Sequence, residues 1–273
     1  MPPWIRIASL ALVAGLALLF FRTDRTARAP SATRGLSLVR NFNDSLPRNA
    51  GNALRCTSCH LDDGLRVSAL PWAGVTGRYP KHRLRSGTIE TIEHRVNDCI
   101  TRSLAGQALP KDHLAMRDIV AYLESLRETP PPKPRDLVRL TGDTIRGGPL
   151  YQTQCARCHA ADGGGSLAPA VYGARSYSIG AGMARQYTLA TFLRWNMPYD
   201  MAGTLPAQDA ADIAAWLLRR PRPDHPGKER DWPNGDPPPD VAYATDGVRR
   251  RGGVLPPPRP ILPRTVLPNP PGQ

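Results

Sequence analysis

The 273-residue chain has room for about two domains of ~100 residues each, and its 41% apolar content is enough for small cores. Thirty-six basic residues against 23 acidic ones leave a formal net charge of +13, part of it in a basic, proline-rich tail and the rest suited to steering a small anion. Five cysteines cannot all pair with one another, so at least one thiol needs another explanation.

Residues 1–29 carry export features. Arg6 makes a short basic start, an unbroken apolar run extends from Ile7 to Phe21, and Arg22, Asp24 and Arg25 end it. Ala27-Arg28-Ala29 is a poor match to a small-x-small cleavage site, while Trp4 to Phe21 is just long enough to span a bilayer. The segment reads as a signal peptide or an N-terminal membrane anchor, with the balance toward the anchor. Either form puts the remainder in the periplasm and argues against nucleic acid as a partner.

Residues 31–55 are polar and read as a wrap around the first domain. Then comes Cys56-Thr57-Ser58-Cys59-His60, repeated later as Cys155-Ala156-Arg157-Cys158-His159. Cys-x-x-Cys-His is the attachment signal for c-type haem. Its two thiols add across the vinyl groups of one porphyrin, and its histidine becomes the proximal iron ligand. A zinc knuckle needs a second ligand pair at suitable spacing, which neither copy has beside it. A redox dithiol of thioredoxin type needs a βαβ pattern, which is absent. Two copies behind an export leader therefore predict two covalently bound haem c groups.

The first domain, 30–127, closes with a helix that follows Leu109-Pro110 and bears the apolar stripe Met116, Ile119, Val120 and Leu123. Residues 128–136 form a proline-rich linker, extended because proline runs cannot continue a helix. The second domain, 137–243, opens with a short helix up to Cys155 with Leu150 and Tyr151 facing inward. It closes with a helix after Leu205-Pro206 carrying Ala210, Ile213, Ala214 and Leu217. Asp118-Ile119-Val120-Ala121-Tyr122-Leu123 matches Asp212-Ile213-Ala214-Ala215-Trp216-Leu217, so the halves repeat. The expected fold is mostly α, two class I cytochrome c domains in tandem, with an apolar leader and a Pro/Arg-rich tail over 244–273 that is disordered or surface-bound.

Each iron also needs a distal ligand. Met197, followed by Pro198, lies shortly before Leu205-Pro206; its rivals are Met183 and Met201. The matching place before Leu109-Pro110 holds Cys99, the leftover cysteine, while Met116 sits on the closing-helix stripe. Taken alone, Cys99 is as readily a buried inert thiol, but the repeat and an oxidising compartment favour a ligand. A thiolate opposite His60 would lower the potential of that haem relative to a His159/Met197 partner. Arg83, Arg85, Arg95, Arg102 and Ser103 lie near Cys99 in the chain, to hold an anion or to neutralise haem propionates.

With these residues the chain resembles the thiosulfate dehydrogenase family of dihaem c-type cytochromes. The resemblance rests on Cys56 to Asp62, Tyr79-Pro80 with Arg83 to Gly87, the specific string Arg95-Val96-Asn97-Asp98-Cys99-Ile100-Thr101-Arg102-Ser103, and Gly106 to Pro110. In the second half it rests on Ser176 to Arg185, Asn196-Met197-Pro198, Arg220 to Asp224 and Lys228 to Pro233. Together these span roughly residues 40–243, leaving leader and tail outside.

The resemblance implies His60/Cys99 ligation at an active-site haem and His159/Met197 at an electron-exit haem. It puts Arg85, Arg95 and Ser103 on substrate-pocket positions. Some members have a lysine before the distal methionine and exchange the two as ligands; Asn196 here implies no such exchange. Leu104-Ala105 stands where members usually have Met-Asn. The implied activity is oxidation of two thiosulfates to tetrathionate, reversible in principle, with transient sulfur–sulfur bonding at Cys99. Electrons would pass to a periplasmic or membrane acceptor, such as another cytochrome c or a high-potential redox protein. Two alternatives are a pure electron-transfer dihaem cytochrome and a Sox-type sulfur-oxidising cytochrome. The Asn196-Met197-Pro198 segment in the same chain argues against the latter.

Overall fold

Two aspartates on the closing helices organise the two halves in the same way. The computed structural model describes residues 28–263, so the apolar run Ile7 to Phe21 lies outside the described residues. Its principal helices are α1 (Ala32–Arg40), α2 (Ile92–Asp98), α3 (Leu114–Ser125), α4 (Thr144–Gln154), α5 (Gln186–Asn196) and α6 (Ala207–Leu218). Among the described residues, no helix is long and apolar enough to cross a membrane.

In the first half α1 crosses α3, and in the second α4 crosses α6. Asp118 Oδ1 accepts the Ser31 backbone N–H at 2.8 Å while Oδ2 accepts from Arg34 Nε at 2.7 Å. Asp212 repeats the arrangement, with the Asp143 N–H at 2.7 Å and an Arg146 guanidinium N–H at 2.5 Å. Each aspartate thus satisfies a helix-start donor that no intrahelical carbonyl could reach. Both closing helices lie where their apolar stripes put them, with Met116, Ile119, Leu123, Ala210, Ile213, Ala214 and Leu217 buried.

Helix α1 corrects the expectation for residues 31–55. That stretch is no mere polar wrap, because its opening residues form the crossing partner of α3 and bury Gly35 and Val39. The crossing is close enough to demand glycine. A Cβ on Gly35 would lie 2.0 Å from the Asp118 carbonyl oxygen, and one on Gly147 would lie 2.1 Å from that of Asp212. Backbone cannot yield as a side chain end does. We expect Gly147→Ala to lose about 1–3 kcal/mol through overpacking, despite alanine's better helix propensity. Denaturant unfolding of the holoprotein measures this, and a gain in stability would mean that the helices can separate at no cost.

Between α1 and α2 a hairpin pairs β1 (Lys81–Arg83) with β2 (Thr88–Glu90), antiparallel, with His82 opposite Ile89. The linker runs without helix or strand and is pinned to α5, with the Trp195 indole N–H donating to the Asp136 carbonyl at 2.9 Å. The tail is laid over the second half as far as residue 263. A short helix, α7 (Asp246–Arg250), leads to β4 (Ile261–Leu262), which pairs in parallel with β3 (Arg222–Pro223). Thr245 is fully buried, and Arg259 donates to the Ala184 carbonyl at 2.9 Å. Residues 244–263 of the expected tail thus pack on the second half.

Candidate functional site

Two cavities flank the helix crossings. The first, about 450 Å³, is lined by Cys56, Cys59 and His60 together with Cys99, Arg95 and Ser103. The second, about 770 Å³, is lined by Cys155, Cys158, His159 and Met197. Leu54, Arg55, Cys59 and Met183 line both, so the cavities adjoin.

The histidines are held alike. His60 Nδ1 lies 2.5 Å from the Leu70 carbonyl oxygen and His159 Nδ1 lies 2.6 Å from that of Pro169, each ten residues further on. A carbonyl only accepts, so in both rings Nδ1 carries the proton and Nε2 keeps its lone pair. Burial holds the His60 imidazole down to about 4, with the Leu70 carbonyl opposing and the Arg95 charge adding to the drop. It therefore stays neutral, the form that binds a metal. Trp72 stacks on it with ring centroids 4.6 Å apart.

Two thiols, an imidazole with a free Nε2 and apolar walls make a donor set and cradle that fit a c-type haem in each cavity. In the first, Val39, Phe42, Leu54, Ile92, Val96 and Ile119 supply the walls. Burial also pushes the Cys59 thiol up to about 12, with its coupling to Cys99 adding to the rise, and Cys99 lines the same cavity.

Cys99 begins a π-helical turn, Cys99–Ser103, that continues α2. Such turns displace side chains from the regular helical path and recur at functional sites. Arg95, one helical turn earlier, has its guanidinium pKa pushed up chiefly by its coupling to Cys99, against the cost of its own burial. Ser103 closes the turn and faces the same cavity.

Arg85 is placed elsewhere. It does not line the cavity; its guanidinium lies over the Trp232 ring, 4.7 Å from the centroid, and donates to the Gly180 carbonyl at 2.9 Å. Arg102 is likewise engaged, in a bidentate pair with Asp231 at 2.7 and 2.8 Å. The basic lining that accompanies Arg95 comes instead from Arg55, Arg78, Lys81 and Arg83. Arg78 and Lys81 were not singled out from sequence. Their signal was the segment running from Tyr79-Pro80 into the hairpin, which brings them to the cavity wall.

Among the methionines, Met197 follows α5 directly and lines the second cavity. Met183 lines both cavities, Met201 lines neither and is 48% exposed, and Met116 is buried in the first-half core. The Asn196 amide donates to the Ser68 and Phe192 carbonyls, each at 3.0 Å, and does not line the cavity.

Compared with known families, residues 47–129 match the SoxA/TsdA cytochrome c domain, and residues 142–217 match cytochrome c oxidase, cbb3-type, subunit III. A thiosulfate dehydrogenase of Psychrobacter arcticus is 40% identical over 223 residues, covering 76% of this chain and 68% of that protein. One of Allochromatium vinosum is 36% identical over 216 residues, covering 72% and 80% respectively. Among solved structures, a thiosulfate dehydrogenase from Marichromatium purpuratum in its as-isolated form matches with a TM-score of 0.66 at 30% identity. That match covers 72% of this chain, and the chain spans 47% of the length of that solved protein.

Proposed function

The chain belongs to the thiosulfate dehydrogenase family, and we propose that it is a periplasmic dihaem cytochrome c that joins two thiosulfates into tetrathionate. The observation that carries this reading is the grouping of Cys99 and Arg95 with the first haem-attachment motif in one cavity, whose lining adds further basic side chains. Two class I cytochrome c units, 30–127 and 137–243, would each hold one haem, with 128–136 as linker.

His60 and Cys99 would hold the iron of the first haem, and His159 with Met197 would hold that of the second. What the two haems supply is one-electron acceptance at each centre, so the pair can take both electrons of a turnover. The adjoining cavities support direct passage between them.

The work of the protein is charge management and nucleophilic catalysis. Arg95, with Arg78, Lys81 and Arg83 nearby, draws a dianion toward Cys99 and offsets the repulsion between two such anions. The Cys99 thiolate forms a bond to the sulfane sulfur of one thiosulfate as two electrons leave, giving a Cys99 S–S–SO3⁻ adduct. The sulfane sulfur of a second thiosulfate attacks that same sulfur, forming the central bond of tetrathionate and returning the Cys99 thiolate. Ser103, which lines the same cavity, would donate its hydroxyl to a sulfonate oxygen. An external cytochrome c or high-potential redox protein takes the electrons from the second haem.

The test is thiosulfate-dependent reduction of ferricyanide by purified holoprotein, with tetrathionate quantified. Two ferricyanides should be consumed for every tetrathionate formed. Protein with both haems attached that reduces ferricyanide only with a chemical reductant would be a pure electron carrier.

A second experiment addresses the exit centre. Met197→Ala is expected to abolish the methionine–iron charge-transfer band of the oxidised protein while both haems stay covalently attached. Loss of that band in Met183→Ala, with Met197→Ala unaffected, would reassign the ligand.

A further inference from the structure

The turn that carries Cys99 is gripped by chain from far away in the sequence. The Arg102 carbonyl accepts from Ser178 Oγ at 2.7 Å and from the Ser178 N–H at 3.2 Å. The Ser103 carbonyl accepts from Asn52 Nδ2 at 2.8 Å, and the same amide donates to the Ser176 carbonyl at 2.9 Å. The Arg102 side chain is held hardest. Both its terminal nitrogens donate to Asp231, its Nε donates to Asp98 at 3.1 Å, and the Tyr243 hydroxyl donates to Asp231 Oδ2 at 2.5 Å. Next to Asp231, the Trp232 N–H donates to the Arg85 carbonyl at 2.7 Å, and the Arg85 guanidinium stacks back on the Trp232 ring.

We propose that Asp231 is a positioning residue for Cys99, acting through Arg102 to fix the π-helical turn and so the strength with which the Cys99 sulfur holds the first iron. This rests on the reading of Cys99 as distal ligand of that haem. Cys99 and Ser103 line the cavity, whereas Arg102, between them in the turn, does not. The clamp therefore grips the side of the turn away from the reaction. Asp231 and Arg102 side chains are only 7% and 13% exposed, so little water screens the pair. A bidentate carboxylate–guanidinium pair sets angle as well as distance. Without it the Arg102 charge would be left with Asp98 alone, and the turn would be held only by its backbone bonds from Ser178 and Asn52. Partners that orient a metal ligand from behind act on this scale in general: their loss typically costs 10–100-fold. Because Asp231 lies beyond α6, the second half of the chain would set the ligand field of the first haem.

The experiment compares wild type, Asp231→Asn and Asp231→Glu as full-length holoproteins, with Cys99→Met as reference. Two readouts are taken well below the unfolding midpoint of each: the rate of Cys99 alkylation by iodoacetamide, and the low-spin thiolate signature of the first haem. Asp231→Asn should alkylate faster by about tenfold or more and lose part of that signature, while the methionine band of the second haem is unchanged. Asp231→Glu should restore most of both. If Asp231→Asn does not accumulate as folded holoprotein, Tyr243→Phe, which removes one hydrogen bond to Asp231, should move both readouts less far in the same direction. Alkylation and signature at wild-type values in whichever of these variants folds would overturn the proposal. A wild-type Cys99 that alkylates at the rate of a free thiol, with the first-haem spectrum indifferent to Cys99→Met, would instead overturn the ligand reading and the positioning role with it.

Discussion

Replacing Cys99 by methionine is expected to leave the first haem six-coordinate, raise its potential and cut thiosulfate oxidation by roughly a thousandfold or more, the scale on which loss of a catalytic nucleophile acts. On the proposed ligation by Cys99, a thioether sulfur can still bind the iron, but it donates less charge than thiolate, so ferric iron is stabilised less. A higher potential would by itself favour electron acceptance. The fall in turnover must then come from the other role of the sulfur, since a thioether cannot form and release the S–S–SO3⁻ adduct. The two measurements belong together on one preparation: potentiometry of the first haem, and steady-state turnover with ferricyanide. Near wild-type turnover would remove the covalent role. An unchanged first-haem potential and spectrum would remove the ligand role, and Cys99 would become a bystander beside Arg95.

What could be seen in advance follows the range of the interactions involved. The attachment motifs are local, five consecutive residues each, and so is the partnership of each histidine with a carbonyl ten residues on. Cys99 stood out by elimination among five cysteines and Met197 by the internal repeat, and each lines the cavity of its own attachment motif. Helix α1 was not, because it buries only Gly35 and Val39; its place is set by Asp118, 84 residues from Arg34. A signal did exist. Ser31, Arg34 and Gly35 stand to Asp118 as Asp143, Arg146 and Gly147 stand to Asp212, so the repeat extends to the opening helices. Arg85 was named for its nearness in sequence to Cys99 and for the family resemblance; in space it meets Trp232 and does not line the cavity. Its actual neighbour Trp232 arrives from beyond α6, as does Asp231, which pairs with Arg102 across 129 residues. A single sequence carries no pattern for such pairs. Their legibility begins with the fold.

That difference between Arg85 and Arg95 supports the remaining large prediction. Arg95→Gln should lower kcat/KM for thiosulfate by about 10–100-fold, mostly through KM, and weaken its dependence on ionic strength. A unit charge pair at 4 Å and an effective dielectric of 20 interacts by about 4 kcal/mol before desolvation. A partly hydrated pocket with other cations nearby retains about half of that, ~2 kcal/mol, or roughly thirtyfold. Arg95 is singled out because it lines the cavity and couples to Cys99 more strongly than to any carboxylate near it. Arg85→Gln serves as the contrast. It removes the stacking on Trp232 and the bond to Gly180, so its effect should appear first in thermal stability, with the salt dependence of kcat/KM kept. Arg95→Lys keeps the charge but loses the planar fork, and should recover the salt dependence more fully than the rate. The profile to set against this is Arg85→Gln flattening the salt dependence while Arg95→Gln leaves it intact. In that case substrate would enter along the Trp232 face, and Arg95 would serve the haem propionates alone.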